Sequence, residues 1–188
     1  QQTELFYVIR AYGKNAGRPW SALVDYGQLI GWDAVLQKFA QRYPVRGKEG
    51  EGNGCMGGFV DSGYAARRTG GVYEFVIRAA GKFWASKGRA ASAGMRASVV
   101  KQVVEHTLYI NKIKERTGAD WWLPRNLGRD YISQLTNERL VERRLRYGQR
   151  ELTWEVVGAN HLGDCEKLVL VFLEHEQNRP DPDPKLTT

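Results

Sequence analysis

The first apolar stretch, Leu5-Phe6-Tyr7-Val8-Ile9-Arg10-Ala11-Tyr12, is rich in β-branched and aromatic residues and halts at Gly13-Lys14-Asn15-Ala16-Gly17. A second run, Trp20-Ser21-Ala22-Leu23-Val24-Asp25-Tyr26, follows at once, and two such runs about a glycine-bearing break predict a β-hairpin. Asp25 falls at the predicted end of the second strand, where an aspartate ordinarily serves a turn. Over residues 32–43 the period changes. Trp32, Val35, Leu36, Phe39 and Ala40 recur at helical spacing until Pro44, which predicts a helix packed on a sheet. Residues 46–54 are polar, carry four glycines and predict a mobile surface loop.

Gly58-Phe59-Val60-Asp61-Ser62-Gly63-Tyr64 is an apolar run that ends in a carboxylate and turns through a glycine, the pattern of a strand delivering Asp61 to a sheet edge. A helix begun near Thr69 is predicted over Val72-Tyr73-Glu74-Phe75-Val76-Ile77-Arg78. The short strand Phe83-Trp84-Ala85-Ser86 then ends in Lys87-Gly88-Arg89, placing Lys87 and Arg89 at the edge that carries Asp61 if the two strands are parallel. Residues 88–95 read as a flexible basic loop, 99–103 as a strand and 107–115 as a helix. Trp121-Trp122-Leu123-Pro124 reads as a short extended piece whose tryptophans belong to the core. Tyr131-Ile132-Ser133-Gln134-Leu135 predicts a short helix. Residues 139–146 and 152–157, joined by Tyr147-Gly148-Gln149, predict a second hairpin. Asp164 stands at the mouth of a buried helix over Cys165 to Leu173, and residues 174–188, with Arg-Pro-Asp-Pro-Asp-Pro, predict an extended tail.

Composition narrows the class. A chain of 188 residues with 42% hydrophobic content can bury a core without staples, and two cysteines outside any CxxC pattern favour neither a disulfide framework nor structural zinc, which suits a reducing cytoplasm. No apolar run reaches membrane-spanning length, and the start at Gln1 without a methionine suggests a fragment of a longer chain. Lys and Arg number 28 against 21 acidic residues, a net charge of +7 that favours a polyanionic partner such as nucleic acid.

A carboxylate held at a strand end is a frequent starting point for metal-dependent phosphate chemistry, although Asp61 read alone equally begins a turn. Asp164 read alone caps a helix, a role worth roughly 1 kcal/mol. Five arginines lie between Arg139 and Arg150, and on a ribbon Arg143 and Arg144 could track phosphates, though a charged edge also blocks aggregation. His161 precedes Asp164 by about one helical turn and suits a supporting hydrogen bond near that acid. No GxxxxGK[ST] loop is present, so the chain is not expected to be an ATPase itself.

Several stretches taken in order carry a family resemblance: Val24-Asp25-Tyr26-Gly27, Asp61-Ser62-Gly63-Tyr64, Val72-Tyr73-Glu74-Phe75 and Trp84-Ala85-Ser86-Lys87-Gly88. Tyr131-Ile132-Ser133-Gln134-Leu135-Thr136-Asn137-Glu138-Arg139 and Asn160-His161-Leu162-Gly163-Asp164-Cys165 follow. Across most of its length the chain resembles the C-terminal nuclease domain of the large terminase subunit of lambda-like tailed bacteriophages and prophages. That resemblance implies an α/β, ribonuclease H-like mixed β-sheet flanked by helices, with an additional β-hairpin, over residues 1–175, and a tail over 176–188. It implies an endonuclease that cuts concatemeric viral DNA during packaging in the host cytoplasm. Asp61 and Asp164 would bind Mg²⁺ or Mn²⁺, two ions roughly 4 Å apart, with a third aspartate just ahead of Gln1. Lys87, Arg89, Arg143 and Arg144 would touch double-stranded DNA, and His161 would support Asp164. The implied partners are an upstream ATPase domain, the small terminase subunit and the portal. The competing expectation is a DNA-gripping or motor-coupling module with an inactive centre.

Overall fold

The computed structural model describes residues 3–62, 71–79, 81–87, 100–103, 119–144, 146–148 and 150–177. The first hairpin forms as the alternation predicts and runs further, with β1 over Glu4–Asn15 and β2 over Arg18–Ile30. Its two-residue turn places Ala16 and Gly17 at φ 48° and 79°, the left-handed pair that matches the twist of the strands. Asp25 therefore stands inside β2, opposite Ile9, and not at a strand end. The strand runs on past Tyr26 through Gly27, which makes room for a ring: a Cβ there would lie 3.2 Å from the ring of Tyr7 across the ladder. The strand β8, Trp121–Trp122, pairs in parallel with β2 through Ser21 and Ala22.

Helix α1, Trp32–Ala40, stops as expected ahead of Pro44. The stretch read as a loop is instead a small hairpin, β3 (Tyr43–Val45) with β4 (Lys48–Asn53). Gly47 at φ 81° closes its turn, and because β4 has no apolar residue, no alternation revealed it.

The expected parallel arrangement about Asp61 forms. Strands β5 (Gly58–Asp61), β6 (Phe83–Lys87) and β7 (Val100–Val103) lie side by side, with Asp61 opposite Ser86. Helix α2, Val72–Arg78, begins after Gly71, whereas Thr69 lies outside the described residues. Helix α3, Arg129–Thr136, the ribbon β9 (Glu138–Arg144) with β10 (Arg150–Val156), and helix α4, His161–Gln177, complete a mixed α/β fold of several small sheets and, among the described residues, four helices. Because α4 runs to Gln177, residues 174–177 are helical and not extended. The predicted loop at 88–95, the helix at 107–115 and the tail from 178 onward lie outside the described residues.

Strand alternation divides the packing. Val60 of β5 faces α1 and α2, joining Val72, Phe75 and Val76, while Phe59 faces α4 and joins Trp121, Leu170 and Val171. Phe6 and Val8 of β1 pack with Leu23, Tyr131 and Leu162, tying the hairpin to α3 and α4. Of the two tryptophans assigned to the core, Trp121 is buried and Trp122 is half exposed.

Inside this apolar frame lies an ion pair. Glu166 of α4, wholly buried, takes Arg10 of β1 at 2.7 Å, the indole N–H of Trp121 at 2.7 Å and the hydroxyl of Tyr131. Arg10 lies over the Trp121 ring and donates to Ser21 Oγ at 2.9 Å and to the Trp122 carbonyl at 2.8 Å. Burial, and then the charge of Glu166, holds the Tyr131 hydroxyl far above its ordinary pKa, so it remains a donor at every accessible pH. Glu166→Ala leaves the buried guanidinium without its counter-charge and is expected to cost about 3–5 kcal/mol in urea unfolding, with Glu166→Gln losing less.

Candidate active site

Asp61 ends β5 with its side chain exposed, and the chain beyond it is held by Ser62, whose N–H and hydroxyl both donate to the Ser86 carbonyl, at 2.8 and 2.7 Å. Ser62 is buried, so this double contact fixes where the carboxylate emerges. Lys87 follows Ser86 at the same end of β6, which puts it at the edge expected from a parallel pair.

Asp164 reaches the same region from the other side of the chain. It is the fourth residue of α4, in the first turn, where the helix dipole favours a carboxylate. It is not the cap: its N–H donates to the Asn160 carbonyl at 2.9 Å, and the Gln134 side chain of α3 accepts the N–H of Leu162 at 3.1 Å. Gly163 permits that approach, since a Cβ there would meet the Gln134 carbonyl oxygen at 3.0 Å. His161 opens the helix with its ring stacked on Phe6, centroids 4.5 Å apart.

Cys165 follows Asp164 on α4. Its thiol donates to the Phe6 carbonyl at 3.4 Å and is pushed far up in pKa, first by burial and then by the charges of Asp164, Glu166 and Asp61. Asp164 is already paired: Lys167, itself 2% exposed, lies 2.6 Å from its Oδ1 and also donates to Glu138 at 3.0 and 3.2 Å. Glu138 takes a further hydrogen bond from Asn160 at 2.8 Å. Among the described residues no cluster of three or more His, Cys, Asp or Glu groups is arranged to hold a metal ion.

The expected DNA contacts stand differently. The Lys87 and Arg143 side chains and the whole of Arg89 lie outside the described residues. Arg144 is exposed on the ribbon, opposite Arg150. The ribbon as a whole is less basic than its arginine count suggests. Residues 138–156 hold five arginines against four glutamates, with Arg139 paired to Glu155 at 2.8 Å and Arg150 to Glu142 at 3.1 Å.

A second polar cluster escaped the sequence reading. On the hairpin face away from α4, Asp25 accepts the hydroxyls of Tyr7 and Tyr43 at 3.2 and 3.1 Å and pairs with Lys38 of α1 at 3.1 Å. It pins α1 and β3 to β2. The missed signal was the helical register of Lys38, one turn beyond Val35 on the side turned to the sheet. Glu166 and Lys167 were visible as charges interrupting an apolar run, but nothing in the sequence named their partners.

Compared with protein-family models, with curated proteins and with solved structures, the chain matches none. No helix among the described residues is long and apolar enough to cross a membrane.

Asp25 supplies a pH test. Burial alone would raise its pKa, but the hydrogen bonds from Lys38 and Tyr43 outweigh that and lower it below its ordinary 3.8. A depressed carboxylate stabilises the fold above its unfolded pKa and loses that contribution as the pH falls through the folded value. Wild type is therefore expected to lose stability below about pH 4 more steeply than Asp25→Asn, the two curves converging in acid when followed by circular dichroism.

Proposed function

We propose that this chain is a divalent-metal-dependent nuclease acting on double-stranded DNA, in which Asp61 and Asp164 are the protein ligands of the metal. The observation that carries the reading is the placement of the two carboxylates, Asp61 at the end of the parallel strand β5 and Asp164 in the first turn of α4, the helix on which β5 packs through Phe59 and Phe172. Both offer oxygen donors and both reach solvent, Asp164 to 34%. That donor set fits Mg²⁺ or Mn²⁺, which prefer oxygen and keep several waters, and does not call for a His or Cys cage.

Within this reading each group has a defined task. A bound divalent ion would supply charge neutralisation at a phosphodiester and a more acidic water. The strand end of β5 and the Ser62–Ser86 contacts hold Asp61 rigidly. Lys87, at the end of the neighbouring strand, would meet the phosphate next to the acids, and the dipole of α4 favours the anionic form of Asp164. Arg89, Arg143 and Arg144 would add contacts to the backbone that carry affinity without base reading.

The finer fold assignment, a ribonuclease H-like mixed sheet, draws support from strand directions. β1 runs along α4 in the same sense, Phe6 meeting His161 and Arg10 meeting Glu166. β5 runs the opposite way, Phe59 meeting Phe172 while Asp61 is felt at Cys165. Among the described residues each of these strands pairs on one side only. A strand between them, antiparallel to β1 and parallel to β5, would merge the two three-stranded sheets and bring the third acid that the terminase resemblance calls for. On that resemblance the domain works beside an ATPase domain, a small terminase subunit and a portal in packaging viral DNA in the host cytoplasm.

One observation favours a second reading, a DNA-gripping or motor-coupling module with a silent centre. Asp164 is engaged by the buried ammonium of Lys167, which a metal ion would have to tolerate or displace.

Plasmid nicking with Mn²⁺ decides between them. In a chain that includes residues ahead of Gln1, Asp61→Ala and Asp164→Ala are each expected to reduce nicking to the level of the EDTA control, to remove Mn²⁺ binding seen by calorimetry, and to leave plasmid binding in EDTA intact. Retention of full nicking in either variant would end the assignment. Binding without cutting by the unsubstituted protein would establish the silent-centre reading.

A further inference from the structure

The face of the first hairpin turned away from Arg10 and Trp121 ends in an aromatic stack that the proposed acid site does not use. Trp20 lies flat on its own ladder. It pairs with Gly13, and a Cβ on that glycine would fall 2.8–3.0 Å from the indole, so only a bare backbone admits the ring. Trp122 stacks on Trp20 with centroids 5.5 Å apart and planes 14° from parallel. It is 50% exposed, while its neighbour Trp121 is 1% exposed.

The stack is rigid at its base. Trp122 belongs to β8, paired opposite Ala22, and its carbonyl accepts a hydrogen bond from the buried Arg10. Its indole N–H donates to the Ala119 carbonyl at 3.0 Å. With that donor satisfied within the chain, the exposed ring offers a π-face and no specific polar group. Such a surface accepts any flat heterocycle. Half of a large apolar side chain left in water, on a fixed backbone, loses the burial that a tryptophan ordinarily gains, and stacking restores it at small entropic cost.

The surrounding charge selects the kind of molecule. Arg18 lies two residues before Trp20 and so on the same face of β2. Arg18 is exposed and takes part in no ion pair among the described residues. A flat, donor-free aromatic face bordered by a cation that has no carboxylate partner among the described residues matches the requirements of a stacked base followed by a phosphate. An intact duplex keeps its base faces covered, so the matching form is unpaired.

We infer that Trp20 and Trp122 form a stacking platform for an unpaired base of single-stranded nucleic acid, with Arg18 on the adjoining phosphate. The platform is separate from the Asp61 and Asp164 region. Phe6, which touches Cys165 and His161, precedes Gly13 by seven residues of strand, about 23 Å at the usual rise. The inference therefore stands or falls apart from metal-dependent cleavage.

The test is binding of a fluorescein-labelled 12-nucleotide oligothymidine to the full chain in EDTA, read by anisotropy and by tryptophan quenching. Wild type is expected to bind with quenching and to prefer the oligothymidine to a duplex of equal length at matched salt. Trp122→Ala is expected to weaken binding roughly ten-fold, within the range for loss of one base stack. Trp122→Phe, which keeps a smaller ring, should recover part of that loss, and circular dichroism should show both variants folded. Arg18→Ala should lower the salt slope by about 0.7, as for one phosphate contact on a single strand, whereas Trp122→Ala leaves the slope unchanged. Asp61→Ala should bind the oligothymidine as wild type does. Equal affinity of wild type and Trp122→Ala, or binding without quenching, would overturn the inference. Quenching by a proline-rich peptide but not by the oligothymidine would also overturn it, assigning the platform to a protein partner.

Discussion

The contact between Arg10 and Glu166 sets the geometry on which the rest depends. Moving both charges out of water is costly, and the cost is offset only when the pair and its remaining donors and acceptors are satisfied. Here they are. Trp121 and Tyr131 complete the carboxylate, while Ser21 and the Trp122 carbonyl complete the guanidinium. Five elements, β1, β2, β8, α3 and α4, supply these groups, so a shift of α4 by one residue would strand a buried charge. Apolar packing alone tolerates such slips, because one leucine can replace another. The ion pair thus fixes the register of α4 against β1 and, with it, the place of Asp164, two residues before Glu166.

The same constraint reaches the candidate platform. The Arg10 that meets Glu166 with one arm holds the Trp122 carbonyl with the other. Trp121 and Trp122 are adjacent residues of a parallel strand, so alternation sends one indole to the carboxylate and the other to solvent. One buried charge pair therefore orients side chains on both faces of the hairpin, and the aromatic surface is fixed in place.

Much of this architecture was legible where periodicity is strong. The hairpin of β1 and β2, the strands β5 and β6, and the helices at Val72–Arg78 and Arg129–Thr136 follow from alternation, helical spacing and turn residues. The reading failed where glycine had another purpose or where charge had a hidden partner. The strand expected to end at Asp25 runs on, because Gly27 admits the Tyr7 ring, and β2 carries Asp25 as a mid-strand anchor. The all-polar β4 carried no pattern to read. Counting arginines on the ribbon overstated its attraction for phosphate, because Arg139 stands directly across from Glu155 and Arg150 reaches Glu142. Sequence reports formal charge, whereas binding uses the charge left after cross-strand pairing.

Asp61 and Asp164 were legible as acids at element ends, but their surroundings were not. Lys167 lies one turn beyond Asp164 and is drawn inward by Glu138, which Asn160 helps to orient. A buried ammonium shared by two carboxylates neutralises only part of their combined charge, so the environment stays favourable to an added cation near Asp164. It also restricts that carboxylate, since the Oδ1 that faces Lys167 cannot turn toward solvent without leaving the ammonium with Glu138 alone. A metal site here would take Asp164 through its other oxygen, with Lys167 acting as the brace that aims it. On the proposed reading, the ion pair with Lys167 and a ligand role for Asp164 are therefore compatible.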